Sequence, residues 1–329
     1  MTKRAAIFGS HGFVGRHFAR RLSNDGWVLT LVDNLSTRGD WSAAALPRNW
    51  EFSKSNLRDW LVARTPDKYD LIIHCAAVVG GRLKIDGDPL AVATDLAIDS
   101  DFFSWIIKAK RKPLVVYFSS SAAYPIELQT REKHVALAEC YVDFYGNRIG
   151  MPDQTYGWSK LSGELLAQKA VHDYGADVKI YRPFSGYGED QSLDYPFPSI
   201  IRRVVAGENP IKIWGSGDQV RDFIHVDDIV ECVLQTMETL PAGDPLNIGS
   251  GIPTSFTELT AIACKRHYLT GKVVYNAESA PIFSFDMSKP EGVFWRVADI
   301  YKMHRLYKPR IALEEGIDRV AMRLTKRGK

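Results

Sequence analysis

The stretch Ala5-Ala6-Ile7-Phe8-Gly9-Ser10-His11-Gly12-Phe13-Val14-Gly15 decides the fold. Four consecutive apolar residues are too few for a helix and fit a strand buried on both faces. The next seven follow a GxxGxxG spacing, and residues 13–22 then place their apolar side chains with helical periodicity. In a strand–turn–helix, such glycines allow a tight turn, let a diphosphate approach bare backbone and let helix pack close on strand. The phosphates would also meet the positive end of the helix dipole, worth roughly 0.3–2 kcal/mol.

Working outward, residues 27–32, 71–75, 114–118 and 178–181 are further short apolar runs. Between them, 91–108 reads as a helix with Leu96, Phe102, Phe103, Ile106 and Ile107 inward, and 156–174 as a long amphipathic helix. Strands without strict alternation, separated by helices, predict an α/β fold: a doubly wound parallel sheet of Rossmann type. After residue 183 glycine and proline become frequent and elements shorten, with helices expected at 200–206, 226–239 and 256–268 and a strand at 211–214. The expected organisation is a nucleotide-binding domain over 1–183 and a smaller C-terminal substrate-binding lobe over 184–329, some segments of which return to the sheet.

The 329 residues are 45% hydrophobic and 25% charged, which excludes a disordered chain. Lys plus Arg exceed Asp plus Glu by 42 against 39, a balance that gives no reason to expect nucleic acid. Cys75, Cys140, Cys232 and Cys264 lie far apart without a CxxC, so neither a disulfide framework nor a zinc site is expected. His74, His225 and His304 have no metal-ligand spacing, and no metal is expected. The N-terminal apolar stretch is too short for a signal peptide and no run of 18 apolar residues occurs, so the expectation is a cytoplasmic protein without a membrane span.

Eighteen residues beyond Gly15, Asp33 closes the second strand. A carboxylate there accepts from a ribose 2′-hydroxyl and repels a 2′-phosphate, which favours NAD over NADP; Arg38 keeps NADP open as an alternative. Tyr156 and Lys160 stand at i and i+4 on one helix, about 5–6 Å apart at Cβ. An ammonium beside a phenol favours the phenolate, although moving a phenol from about 10 towards 7 requires roughly 4 kcal/mol. Such a phenolate takes a proton from a sugar hydroxyl while the cofactor takes the hydride. Ser119-Ser120-Ser121 lie at the carboxyl end of a buried strand, where open α/β sheets bind ligands, and one hydroxyl there would complete a Ser–Tyr–Lys set.

Taken together, GSHGFVG (9–15), VDNLS (32–36), HCAA (74–77), FSSSAAYP (118–125), YGWSK (156–160), RPFSGYG (182–188), WGSGDQVRDFIHVDD (214–228) and LNIGSG (246–251) carry a resemblance across nearly the whole chain. The chain resembles the extended short-chain dehydrogenases/reductases of the nucleotide-sugar epimerase/dehydratase group. The resemblance implies Ser120, Tyr156 and Lys160 as catalytic residues. It implies Gly9, Gly12, Phe13, Val14, Gly15, Asp33, Asn34, Asn56, Leu57, Ala76 and Ala77, with Tyr156 and Lys160, at the cofactor. Ser121, Ala122, Ser185, Arg221 and Arg296 are implied at the substrate, a nucleotide-diphosphate sugar. Asn56-Leu57 stands where the family has Asp and a hydrophobic residue, and Ser185 where it has Asn. AAVVGGRL (76–83) and KPEGVFWRVAD (289–299) are similar to GDP-fucose synthase and GDP-mannose 3,5-epimerase, which implies a GDP-sugar. A homodimer is also implied, packed through the helices bearing Phe102, Phe103, Trp105 and Ile106 and bearing YxxxK.

In those two relatives an acid/base Cys stands two residues before the SSxxY tyrosine; here that position is Ala122, which cannot transfer a proton. The loop 194–198 offers Tyr195 or Pro196 where they carry a second acid/base. Ser121-Ala122 likewise replaces the Asp-Glu pair of the 4,6-dehydratases. C3/C5 epimerisation and dehydration are therefore disfavoured, and oxidation at C4 remains. The expected activity is NAD-dependent C4 epimerisation through a 4-keto sugar. The alternatives are a net 4-dehydrogenase or 4-keto reductase, and a non-catalytic nucleotide-binding protein of the same fold.

Overall fold

The structure, a computed structural model, describes residues 2–36, 49–78, 80, 82–269 and 282–327. Arg38 lies outside the described residues, as do Val79 and Gly81 of the AAVVGGRL stretch. In chain order the first elements are β1 (Arg4–Phe8), α1 (Phe13–Asn24), β2 (Val28–Asp33), β3 (Trp50–Lys54), α2 (Leu57–Val62), β4 (Leu71–His74), α3 (Arg82–Gly87), α4 (Pro89–Ile106), β5 (Leu114–Phe118), β6 (Ala136–Leu137), α5 (Gln154–Tyr174) and β7 (Asp177–Pro183). There follow β8 (Ser185–Tyr187), α6 (Pro196–Val205), β9 (Ile211–Trp214), β10 (Val220–His225), α7 (Val226–Thr236), β11 (Pro245–Ile248), β12 (Pro253–Ser255), α8 (Phe256–Leu269), β13 (Phe283–Asp286), β14 (Trp295–Ala298), α9 (Tyr301–His304) and α10 (Leu313–Arg327).

Seven parallel strands form the main sheet in the order β11-β7-β5-β4-β1-β2-β3. The apolar run of β1 is buried throughout because alternate side chains enter two cores. Ala5 and Ile7 join Phe18 and Leu22 of α1 and Ile229 and Val233 of α7 on one face. Ala6 and Phe8 join Trp60 of α2, Phe102 of α4 and Ala167 of α5 on the other. Strand order reverses at β1, which pairs with both β2 and β4, so a crevice opens at the carboxyl ends of these strands.

The second half, joined by β6 from the first, builds a five-stranded sheet from β12, β10, β14 and β6, with β8 on β10, and a separate β13–β9 pair. Its core gathers Phe197, Ile200 and Ile201 of α6, Leu259 of α8 and Ile317 and Val320 of α10. β11 returns from this half to the main sheet, where Leu246 and Ile248 are fully buried beside β7.

Some expectations need correction. Leu96, expected inward, is 41% exposed, although it stands two turns before buried Phe103 on the same side of α4. Phe102, Phe103 and Ile106 are buried as expected, together with Trp105, against β1, β5 and α2, so none of the four is free for the partner-chain contact that the resemblance implied. The helix expected over 226–239 ends at Thr236. β3 is a half-exposed edge strand whose alternation was not anticipated.

Candidate active site

The cofactor cradle is built by the turn between β1 and α1. Gly9 adopts φ +76°, and its amide donates to the Val32 carbonyl at 2.9 Å. A Cβ on Gly9 would lie 2.7 Å from the Cys75 backbone carbonyl, and one on Gly15 would lie 2.1 Å from the Gly9 oxygen. Both glycines are thus demanded by backbone contact. Gly12 precedes α1 without a side-chain cap, which leaves the first amides of Phe13, Val14 and Gly15 pointing into the turn as an anion site.

Asp33, at the end of β2, accepts from His11 N at 2.8 Å and from Leu35 N at 2.7 Å, one bond on each oxygen. Each oxygen keeps a further lone pair, so the carboxylate can still receive a ribose hydroxyl. Burial holds the His11 ring below its usual pKa despite Asp33. Asn34 turns back on Ser36 N at 2.9 Å. Asn56 caps α2 through Arg58 N at 3.1 Å, and Leu57 is buried against Trp60. Ala76 and Ala77 follow β4, and the Ala76 backbone N would lie 2.8 Å from a Cβ on Gly9. These features fit a dinucleotide: a bare-backbone turn, an open helix terminus and a carboxylate on the neighbouring strand.

Across the crevice, Ser120 is extended (φ −159°, ψ 156°), and its hydroxyl oxygen accepts from Ala122 N at 3.1 Å, leaving its proton to donate. Ser121 and Ala122 are buried in the short turn that follows. The Ala122 carbonyl accepts from Asp153 N at 2.9 Å, and a Cβ on Gly157 would lie 2.4 Å from that carbonyl. The serine segment and the start of α5 are therefore packed backbone to backbone.

Tyr156 and Lys160 lie on α5 with the Lys160 ammonium 5.9 Å from the Tyr156 ring centre and 5.8 Å from that of Tyr117. Lys160 is 5% exposed. Burial pulls its pKa down, but Tyr156 and the carboxylates Asp99 and Asp95 outweigh burial and hold it above the ordinary value. Asp99 accepts from the Tyr117 hydroxyl at 2.6 Å and meets His74 Nε2 at 2.9 Å; Asp95 accepts from Val78 N at 2.6 Å. Burial pushes the Cys75 thiol up to about 12, so it stays protonated. The site is a charged lysine, backed by carboxylates of α4, facing a phenol.

On the other wall Arg221 and Arg296 are register partners on adjacent parallel strands, β10 and β14, so their side chains leave the same face. Arg221 donates to the Val220 and Glu291 carbonyls at 2.8 and 3.1 Å. Arg296 donates to Gln129 at 2.6 Å and to Asp153 at 2.9 Å. Ser185 opens β8 opposite Phe223. Tyr195 precedes α6, and burial first, then Tyr156 and Asp194, push its phenol well up, so it is neutral. Reasoning from the sequence missed Asp95, Asp99, Tyr117 and Gln129; an Asp-x-x-x-Asp spacing on a buried helix was the one available signal for the two carboxylates.

The match to the model of the NAD dependent epimerase/dehydratase family covers residues 5–249. The chain belongs to this family. It is an enzyme family of the extended short-chain dehydrogenase/reductase type that works on nucleotide sugars, and NAD is the cofactor for which the cradle is built. Among its relatives, a dTDP-4-dehydro-6-deoxy-D-allose reductase of Streptomyces is 29% identical over 90% of this chain and 88% of its own. The GDP-L-fucose synthase of Escherichia coli is 25% identical over 96% of this chain and 94% of its own. The fold is that of a UDP-glucose 4-epimerase from Thermotoga maritima solved with UDP-glucose, at a TM-score of 0.80 and 23% identity over 99% of this chain and 100% of that one. Among the described residues no helix is long and apolar enough to cross a membrane, and no three His, Cys, Asp or Glu side chains are grouped to hold a metal.

Proposed function

We propose that the protein is a nucleotide-sugar 4-epimerase acting on a GDP-sugar through a transient 4-keto sugar. The observation that carries this reading is a Ser120, Tyr156 and Lys160 set whose immediate neighbour, Ala122, is buried and has no proton to give. When bound, NAD supplies the hydride acceptor and donor. Tyr156 removes the proton from the C4 hydroxyl, Ser120 donates a hydrogen bond to that oxygen, and the charged Lys160 stands 5.9 Å from the Tyr156 ring. Rotation of the keto sugar in the pocket presents its other face, and Tyr156 returns the proton to O4. Arg221 and Arg296 would hold the diphosphate, and Ser121, Ala122 and Ser185 would line the sugar.

GDP is supported by the AAVVGGRL and KPEGVFWRVAD stretches and by the similarity to GDP-L-fucose synthase. The four cysteines form no disulfide with one another, which suits a reducing cytoplasm. For a homodimer through α4 and α5, exposed Leu90, Leu96, Trp158 and Leu165 replace the buried aromatics as the apolar contacts. Residues 1–183 and 184–329 serve as the cofactor-binding and substrate-binding parts in this reading.

A second reading, a 4-keto reductase, is favoured by the similarity to the allose reductase and to GDP-L-fucose synthase. One experiment separates the two. The purified protein is denatured, the released dinucleotide is identified by mass and quantified per chain, and GDP-, UDP- and dTDP-sugars are then offered. Retained NAD with conversion of one sugar to its C4 epimer supports the epimerase. An empty site with stoichiometric oxidation of added NADH or NADPH by a 4-keto sugar replaces it with the reductase.

A further inference from the structure

Two residues of β5 and its extension lock onto two consecutive residues of α5. The Tyr117 hydroxyl lies so close to Gly163 that a Cβ there would be 1.8 Å from it. The Ser119 hydroxyl donates to Glu164 Oε1 in a fully buried contact. Ser119 N also donates to the Tyr181 carbonyl at 2.9 Å, so the strand ladder continues one residue past β5. Because extended residues alternate, Tyr117 and Ser119 face α5 and Ser120 projects from the opposite side of the backbone. Glu164 stands one helical turn beyond Lys160 and two beyond Tyr156, on the same side of α5.

Glu164 is itself immobilised. Arg182, 0% exposed, donates to its two oxygens at 2.8 and 2.6 Å. The same guanidinium donates to the Tyr124 hydroxyl and the Glu139 carbonyl, each at 3.0 Å. The Tyr124 hydroxyl passes its own proton to Asn247 Oδ1 at 2.6 Å. Burial pulls the Arg182 pKa down, but Glu164 and Tyr124 outweigh it, so the guanidinium remains charged.

We propose that Ser119, through its bond to the Glu164–Arg182 pair, is a positioning residue that sets the register between the strand carrying Ser120 and the helix carrying Tyr156 and Lys160. The inference rests on the reading of those three as the catalytic set. A hydroxyl at position 119 then acts without touching substrate: it fixes the backbone from which Ser120 donates, and a misplacement of about 1 Å suffices to lower turnover by up to two orders of magnitude.

The test compares Ser119→Ala, Ser119→Thr and Tyr124→Phe in the full-length protein with its bound dinucleotide. Tyr124→Phe removes two hydrogen bonds of the same network but leaves Ser119–Glu164 in place. Ser119→Ala is expected to lower kcat about tenfold with KM within about twofold of wild type, and Ser119→Thr to restore most of it. Tyr124→Phe is expected to lower Tm while keeping kcat within about twofold. Wild-type kcat in Ser119→Ala, or an equal loss in Tyr124→Phe, overturns the proposal in favour of a purely structural network. Crystal structures of wild type and Ser119→Ala give a readout that needs no substrate. A change of more than about 0.5 Å in the Ser120 Oγ–Tyr156 Oη separation supports the proposal, and an unchanged separation overturns it. If no nucleotide sugar is turned over by the wild type, the functional reading fails, and the positioning claim is decided by that separation alone.

Discussion

Arg296 donates to Asp153 at 2.9 Å, and Asp153 stands at the N-terminus of the helix that brings in Tyr156 three residues later. The side chain proposed to hold the diphosphate is thereby tied to the start of the helix proposed to carry catalysis. Both partners are about nine-tenths buried, so the pair is screened far less than a surface ion pair. Arg296→Lys keeps the charge but cannot span Gln129 and Asp153 together. It is expected to raise KM for the nucleotide sugar about tenfold and to lower kcat as well, measured by steady-state kinetics. An unchanged KM would remove Arg296 from the substrate wall.

Tyr156→Phe keeps the ring that faces Lys160 and removes the proton-transfer group. Turnover is expected to fall by about 10²–10⁴ while dinucleotide content per chain stays at the wild-type level. Full activity in this variant would refute the assignment of Tyr156 as the base.

Gly15→Ala places a methyl 2.1 Å from the Gly9 carbonyl oxygen, a contact that only movement of the turn can relieve. The expected result is a protein purified without dinucleotide and destabilised by about 1–3 kcal/mol in urea titration. Retention of stoichiometric NAD would show that the close approach of α1 to the turn is dispensable.

His17 of α1 meets Asp190 at 3.0 Å and Asp227 at 3.1 Å, with Arg16 and Arg20 also on Asp190. Burial lowers its pKa, but the two carboxylates outweigh burial and the net displacement is upward. A histidine raised on folding contributes stability in full below its unfolded value of about 6.5 and loses it as pH climbs through the folded value. Buried His74 is displaced downward and opposes this trend. The difference in Tm between wild type and His17→Gln isolates the first effect: it should be largest near pH 6 and shrink towards alkaline pH. A difference independent of pH would mean that folding leaves the His17 pKa where it is in the unfolded chain, and a difference that grows towards alkaline pH would mean that His17 is held neutral.

The cradle was legible in the sequence because most of its demands are local: Gly15 is dictated by the Gly9 carbonyl within the same turn, Gly9 by its φ of +76° as well as by the Cys75 carbonyl of the neighbouring strand, and Asp33 by its place at the end of the next strand. The Tyr156–Lys160 spacing was legible for the same reason. What escaped was non-local. Arg182 finds Glu164 on a preceding helix, and Tyr117 finds Asp99 and His74, pairings that no periodicity announces. Apolar content on α4 was an uneven guide: Phe102 fills the core as expected, whereas Leu96, expected beside it, is exposed. β3 carries Trp50 and Phe52 on one face of an edge strand, and its half-exposed pattern gives a weak signal beside the uniformly apolar β4 and β5.

The return of β11 to the outer side of β7 has a practical consequence for dissecting the protein. A fragment cut at residue 183 would lack Leu246 and Ile248, and the backbone edge of β7 would stand open beside Ile180 and Tyr181. Such an uncovered strand recruits other chains, so the fragment should precipitate or swap strands rather than bind nucleotide alone. The chain also crosses between the two larger sheets on either side of β6, after β7 and on either side of β11. Opening the crevice therefore demands bending at several crossings in concert, which favours a stiff jaw over a swinging one.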